Sequence, residues 1–232
     1  DMQRFVENYS DYKQTSNNVT KHVTLIGELA RQVDACKLMD LSQLEQEIAC
    51  VSSHEEQHRK LVSKLNDSSI DQFAKLRLVM LYALRYEQHS RSRTVLPTLV
   101  KNLELGGVQR DNTMMVSRLL EYSNAKNRTG DLFHEKAGMR RFTRNIVREL
   151  RGVENVYTQH KPLLEDILEA IFRGKLSEKD YPYLGPQGSS GDIPKDVVVF
   201  IVGGVTYEEV KCVANWNKKS KAGSLAFRGL KR

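Results

Sequence analysis

The 232-residue chain has only three cysteines, one tryptophan and five prolines. Cys36, Cys50 and Cys212 are too few and too scattered for a disulfide framework or a zinc ribbon, and an odd count is unlike a secreted scaffold. A reducing compartment is expected. Long apolar runs are missing too: runs such as Val197 to Val202 are far short of the ~20 residues a membrane span needs, and the first residues are polar. Glycine and proline total 14 and 5 residues and hydrophobic residues 40%, which excludes collagen-like, low-complexity and wholly disordered classes. The length suits a domain with a substantial core. Three matches to the glycosylation acceptor pattern, at Asn18, Asn66 and Asn127, are read as chance. Because Asp1 already lies inside a helical pattern, the chain is expected to be part of a longer protein.

Charge is what the chain has in quantity. Lys and Arg outnumber Asp and Glu by 36 to 29, giving +7 and a pI near 9.2, a balance that points first to nucleic acid, anionic lipid or acidic partners. Its distribution argues otherwise. Six of the positive charges (Lys218, Lys219, Lys221, Arg228, Lys231, Arg232) lie beyond residue 217, where there is no Asp or Glu, leaving 30 against 29 before it. A basic, disordered tail over 218–232 is expected, and no nucleic-acid partner.

Hydrophobic spacing places helices along the first three quarters. Phe5, Tyr9, Tyr12, Ser16, Val19, Val23, Ile26, Ala30 and Val33 alternate in steps of four and three, which predicts one long helix with a single apolar seam. Ser42, three residues before Glu45, reads as a capping box that starts a second helix. A third piece holds Leu61, Val62 and Leu65. Asp71 leads a segment from Phe73 to Glu87 with so little polar face that it belongs at the centre of the core. Amphipathic segments follow at 95–105, stopped by Gly106 and Gly107, and at 112–122, 136–150 and 162–172, the last stopped by Gly174. The prolines and glycines of 177–196 form a connector. Val197 to Val202 is then an unbroken apolar, largely β-branched run, the pattern of a parallel strand buried on both faces, and Thr206 with Glu209 caps a helix after it. Residues 225–227 are too short and interrupted to complete a sheet, whose other strands are expected outside this chain. The fold class is mainly α, a helical bundle followed by a partial α/β unit of one parallel-type strand plus helix that belongs to a larger sheet. The limits expected are 1–176, 177–196, 197–217 and the tail.

Three motifs carry possible chemistry. His54-Glu55-Glu56-Gln57-His58 matches H-E-x-x-H, in which two imidazoles one turn apart hold zinc, but flanking serines, Arg59 and Lys60 place it on a solvated helix face. Gly203-Gly204 between strand and helix lacks the lysine and the full spacing of a phosphate loop, so a tight turn is expected there. Arg140, Arg141, Arg144 and Arg148 make a basic stripe suited to a solvated face. No nucleophile–base arrangement or carboxylate pair stands out. A protein without catalytic residues, metal or cofactor is expected, and the seam of the first helix has the strongest claim to a partner, since such a stripe receives another helix.

Several stretches together resemble one family: Phe5-Val6-Glu7-Asn8-Tyr9, Val19-Thr20-Lys21-His22-Val23, Leu78 to Leu84, Gly152 to His160, Tyr181-Pro182-Tyr183-Leu184-Gly185-Pro186, and Val199 to Glu209. They are similar to the SM family of syntaxin-binding membrane-fusion proteins, most of all its vacuolar protein sorting branch. The resemblance runs from about residue 1 to about residue 217 and implies that the helical part is the end of the family's third domain and that Val197 onward returns to its second, α/β domain. It implies a non-enzymatic role in binding syntaxin and other SNARE helices during vesicle docking and membrane fusion. It also implies a cytoplasmic protein, held peripherally through SNAREs on Golgi, trans-Golgi and endosomal membranes. Tyr9, Ser10, Tyr12, Val19, His22 and Val23 are the SNARE-contact residues it implies, with Ser10 standing where many members have proline. The syntaxin N-terminal peptide is held by the family's first domain, which does not match this chain, and the residues after Asn215 depart from the family pattern. The alternative is a helical scaffold that binds acidic proteins or anionic lipid through basic groups.

Overall fold

The computed structural model describes residues 2–51, 53–128, 132–133, 159–185, 194, 196–219 and 225–229. Among them are eight helices and two strands: α1 (Met2–Ala35), α2 (Leu38–Cys50), α3 (His54–Asn66), α4 (Gln72–Tyr86), α5 (Ser92–Leu105), α6 (Arg110–Ser123), α7 (Leu163–Phe172), β1 (Val197–Ile201), α8 (Tyr207–Lys219) and β2 (Leu225–Gly229). They fall into two compact units, 1–118 and 119–232, with α6 crossing the limit between them.

In the first unit, α4 packs on α2, α3 and α5, and α3 also meets α2 and α5. The core is therefore organised around α4, as its nearly continuous apolar surface predicts. Leu78, Val79, Tyr82 and Ala83 are wholly buried there, against Leu41, Leu44 and Ile48 of α2, Leu61 and Leu65 of α3, and Leu99 and Leu103 of α5. Local chemistry fixes where α4 begins. The Asp71 carboxylate accepts from the backbone N–H of Phe73 at 2.8 Å and of Ala74 at 3.2 Å, using two donors that have no partner inside the helix. Asp71→Ala is expected to lower the stability of this unit by about 1 kcal/mol, read as a shift of the urea midpoint with unchanged slope. At the end of α5, Gly107 takes a left-handed φ of 89°, and its N–H and that of Val108 bond back to Glu104 and Leu103 at 3.0 Å. A Cβ there would also stand 3.0 Å from the Gln72 amide nitrogen, the far end of a side chain that can give way, so it is the backbone angle that calls for glycine.

Helix α2 starts four residues before the expected capping box, which places Ser42 in its second turn. The start is set by the chain reversal after α1. Lys37 adopts φ 50°, ψ 37°, its N–H bonds to the Asp34 carbonyl, and α2 begins at once. A lysine thus occupies the left-handed position usually given to glycine. Its ammonium donates to Asp67 at 3.0 Å, tying this joint to the turn after α3.

In the second unit, Leu164 and Leu168 of α7 meet Cys212 and Val213 of α8, with Phe172, Val197, Val199 and Trp216 around them. Phe172 and Trp216 stack at 5.3 Å between centroids. β1 is a parallel strand as expected, but it has a partner in this chain: Val197 pairs with Leu225 and Ile201 with Gly229. The tail expected to be disordered from residue 218 therefore contributes the last residues of α8 and strand β2. Pairing and the packing of α8 on β2 supply what the short segment Leu225 to Gly229 lacks in propensity. Only one face of β1 is covered here, since Val197, Val199 and Ile201 are half-buried whereas Val198 and Phe200 are exposed. Gly203 turns the chain at φ 124°, and beyond it the Thr206–Glu209 capping box forms in full, with mutual bonds of 2.8 Å and 3.2 Å.

Candidate functional site

Helix α1 is 34 residues long, which at about 1.5 Å per residue makes it roughly 51 Å. Among the described elements it packs only on α2. Its seam is consequently not consumed by the bundle. Tyr9, Tyr12, Val19, Val23 and Ile26 are all exposed, Tyr12 at 71% and Val23 at 64%, while Val33 near the joint is half-buried. His22 is exposed beside them, and Ser10 lies within the same helix. All six expected contact residues thus belong to one helix, five of them with exposed side chains. Leu25 and Leu29, four residues apart, are exposed as well and widen the apolar strip beyond the seam. Following the four-three spacing alone passes them by, because they lie to one side of it.

An exposed strip of this extent on one helix is the surface that a second amphipathic helix would cover. The polar side chains around it are largely engaged locally. Thr20 and Thr24 bond the carbonyls one turn back at 2.9 and 3.0 Å, and Glu28 accepts from Arg31 at 2.7 Å and from Gln32 at 2.8 Å. The Arg31 guanidinium holds the Glu28 carboxyl below its ordinary range, with Gln32 adding to this. Formal charge on α1 cancels, with Arg4, Lys13, Lys21 and Arg31 against Glu7, Asp11, Glu28 and Asp34. Recognition here would rest on apolar burial and shape rather than on net charge.

The H-E-x-x-H motif is not on a solvated face. His54 opens α3 with its side chain only 9% exposed, because it packs on residues distant in sequence. Its Nε2 shares a 2.7 Å hydrogen bond with the Tyr82 hydroxyl, Tyr86 meets it edge-on at 4.9 Å, and His89 stacks on it at 3.8 Å and 14°. Burial, then the neighbouring His89, lowers its pKa. His58 lies parallel to His54 at 6.3 Å and 8°. Among the described residues no group of three His, Cys, Asp or Glu side chains converges to hold a metal. The arginine stripe at 140–148 and the helix expected over 136–150 lie outside the described residues. No described helix is long and apolar enough to cross a membrane.

The model of the Sec1 family matches residues 1–227. Among curated proteins, the chain is 43% identical over 218 residues to vacuolar protein sorting-associated protein 45 of Rattus norvegicus, covering 94% of this chain and 38% of that protein. It is 44% identical over 217 residues to the Arabidopsis thaliana homolog, covering 94% and 37%. The chain therefore spans less than two fifths of the length of these relatives. Its fold superposes on the SM protein Vps45 in complex with the Qa SNARE Tlg2 with a TM-score of 0.80 at 37% identity, covering 99% of this chain and 40% of the other. A structure of the SM protein Vps45 aligns with a TM-score of 0.72 at 36% identity, covering 98% and 39%.

Proposed function

Because the chain belongs to the Sec1 family, we propose that it is the SNARE-binding part of a non-enzymatic regulator of vesicle docking and fusion, acting in transport between Golgi and endosomes or vacuole. The observation that carries this reading is the apolar strip of α1, exposed over several turns and, among the described elements, packed only on α2. Tyr9, Ser10, Tyr12, Val19, His22 and Val23 are the proposed contact residues, joined by Leu25 and Leu29. The mechanism is alignment. A rigid helix that holds a syntaxin-class helix in register removes part of the orientational entropy that SNARE pairing otherwise loses. The solved complex of Vps45 with the Qa SNARE Tlg2 supports this class of partner. The same reading places the protein on the cytoplasmic side of Golgi, trans-Golgi and endosomal membranes, held there through SNAREs. It assigns residues 1–176 to the end of the family's third domain, 177–196 to a connector and 197–217 to part of its second.

Titration of a Qa-SNARE helix against the chain at 50 and 500 mM salt tests the proposal. An apolar contact on a neutral helix is expected to keep its affinity within about threefold, whereas binding through basic groups weakens steeply as charges are screened. Absence of binding, or a loss well beyond tenfold at the higher salt, would overturn it.

A further inference from the structure

His54 and His89 form a stacked pair that clamps the turn between α4 and α5 onto the start of α3, with ring centroids 3.8 Å apart. The turn depends on the uncharged form of these rings. His89 Nδ1 accepts the Arg91 backbone N–H at 3.3 Å, which requires that nitrogen to be unprotonated. The His54 Nδ1 is buried with no hydrogen-bond partner, the Glu55 carboxylate at 4.0 Å being beyond hydrogen-bond reach, so a proton placed there is unsatisfied unless that carboxylate moves. Two imidazolium rings stacked at this distance would repel each other across a poorly hydrated gap.

The other charged groups around His54 make release directional. On its own helix, Glu55 Oε1 lies 4.0 Å from Nδ1, and the same oxygen pairs with Arg91 of the turn. The Arg91–Glu55 pair is exposed on both sides and is worth little, so a charged His54 can draw Glu55 away and free Arg91. His58 adds a further potential positive charge from α3. From α4, the Tyr82 and Tyr86 phenols are both pushed above their ordinary pKa by burial and stay neutral, while Arg85 lies over the Tyr86 ring at 5.4 Å. From α2, the Cys50 thiol is pushed up to about 11 by burial and carries no charge.

We propose that the His54–His89 stack is a proton-sensitive latch: neutral, it holds the α4–α5 turn closed, and protonated, it releases it. The lowered pKa of His54 gives the sign. A base whose folded-state pKa is depressed contributes its full stabilisation above the unfolded value of 6.5 and loses it as pH falls below.

Hydrogen exchange of the full chain, read on peptides spanning residues 86–93 and corrected for the intrinsic rate, tests the latch. Uptake of one proton changes the opening equilibrium by at most about tenfold per pH unit. Protection of the turn is expected to fall by up to about fivefold between pH 6.5 and pH 5.5, since the ring of the opened turn is already half protonated at 6.5, while H54Q/H89Q changes by less than about twofold. A wild-type change below about twofold overturns the proposal, as does a double variant that keeps the wild-type response. If circular dichroism shows the double variant unfolded at pH 7.5, H89Q alone decides, since that side chain is exposed: a smaller loss than wild type supports the latch, and an equal one overturns it.

Discussion

Val23→Asp is expected to weaken binding of a Qa-SNARE helix by about 100-fold while leaving the fold intact. Two effects add. The valine, 64% exposed in the free chain, would be covered in the complex, and losing its burial costs about 1.5 kcal/mol. A carboxylate enclosed in the same contact without a partner costs about as much again. Together these make about 3 kcal/mol, or roughly two orders of magnitude in Kd. In the unbound chain the change is nearly neutral, because Val and Asp differ little in helix propensity and the site is open to solvent. Titration calorimetry with wild type, Val23→Asp and Asn17→Asp, the last lying off the apolar seam, separates the cases. Undiminished binding by Val23→Asp sinks the site assignment, and equal losses for both variants would show that only added negative charge matters.

Leu78→Ala is expected to cost the first unit about 2–5 kcal/mol, since the side chain is wholly enclosed in α4 and its removal leaves a cavity that surrounding helices fill only in part. That is a large share of the 5–15 kcal/mol typical of a folded domain. Phe73, six residues short of Val79 on the same helix and larger than leucine, supplies the contrast. It is 67% exposed, so Phe73→Ala is expected to stay within about 0.5 kcal/mol. Urea unfolding followed by a probe in residues 1–118 reads both, and comparable losses for the two variants would contradict the placement of the core around Leu78.

What the sequence discloses and what it conceals divide along the range of the interactions. Asp71, Gly107 and the Thr206–Glu209 box act within a few residues of themselves, so helix ends governed by them can be read directly. The seam of α1 is legible for the same reason, being a single periodic pattern. The start of α2 is not, because Ser42–Glu45 offers an equally good local signal and the decision falls to Lys37 and its bond to Asp67, thirty residues away. His54 is misread as solvated because its neighbours Tyr82, Tyr86 and His89 come from another helix and the turn after it. β2 is concealed in a segment, Leu225 to Gly229, that has no strong strand character until β1 lies beside it.

The single joint at Lys37 makes α1 a lever. Tyr9 stands 28 residues from it, which at 1.5 Å per residue is an arm of about 42 Å. A change of about 10° in the backbone at the joint would sweep that end through roughly 7 Å, more than the rise of about 5.4 Å of one helical turn, while Val33 near the fulcrum scarcely shifts. Where the proposed site meets its partner is therefore governed less by the residues that touch it than by one lysine backbone angle and the aspartate that braces it.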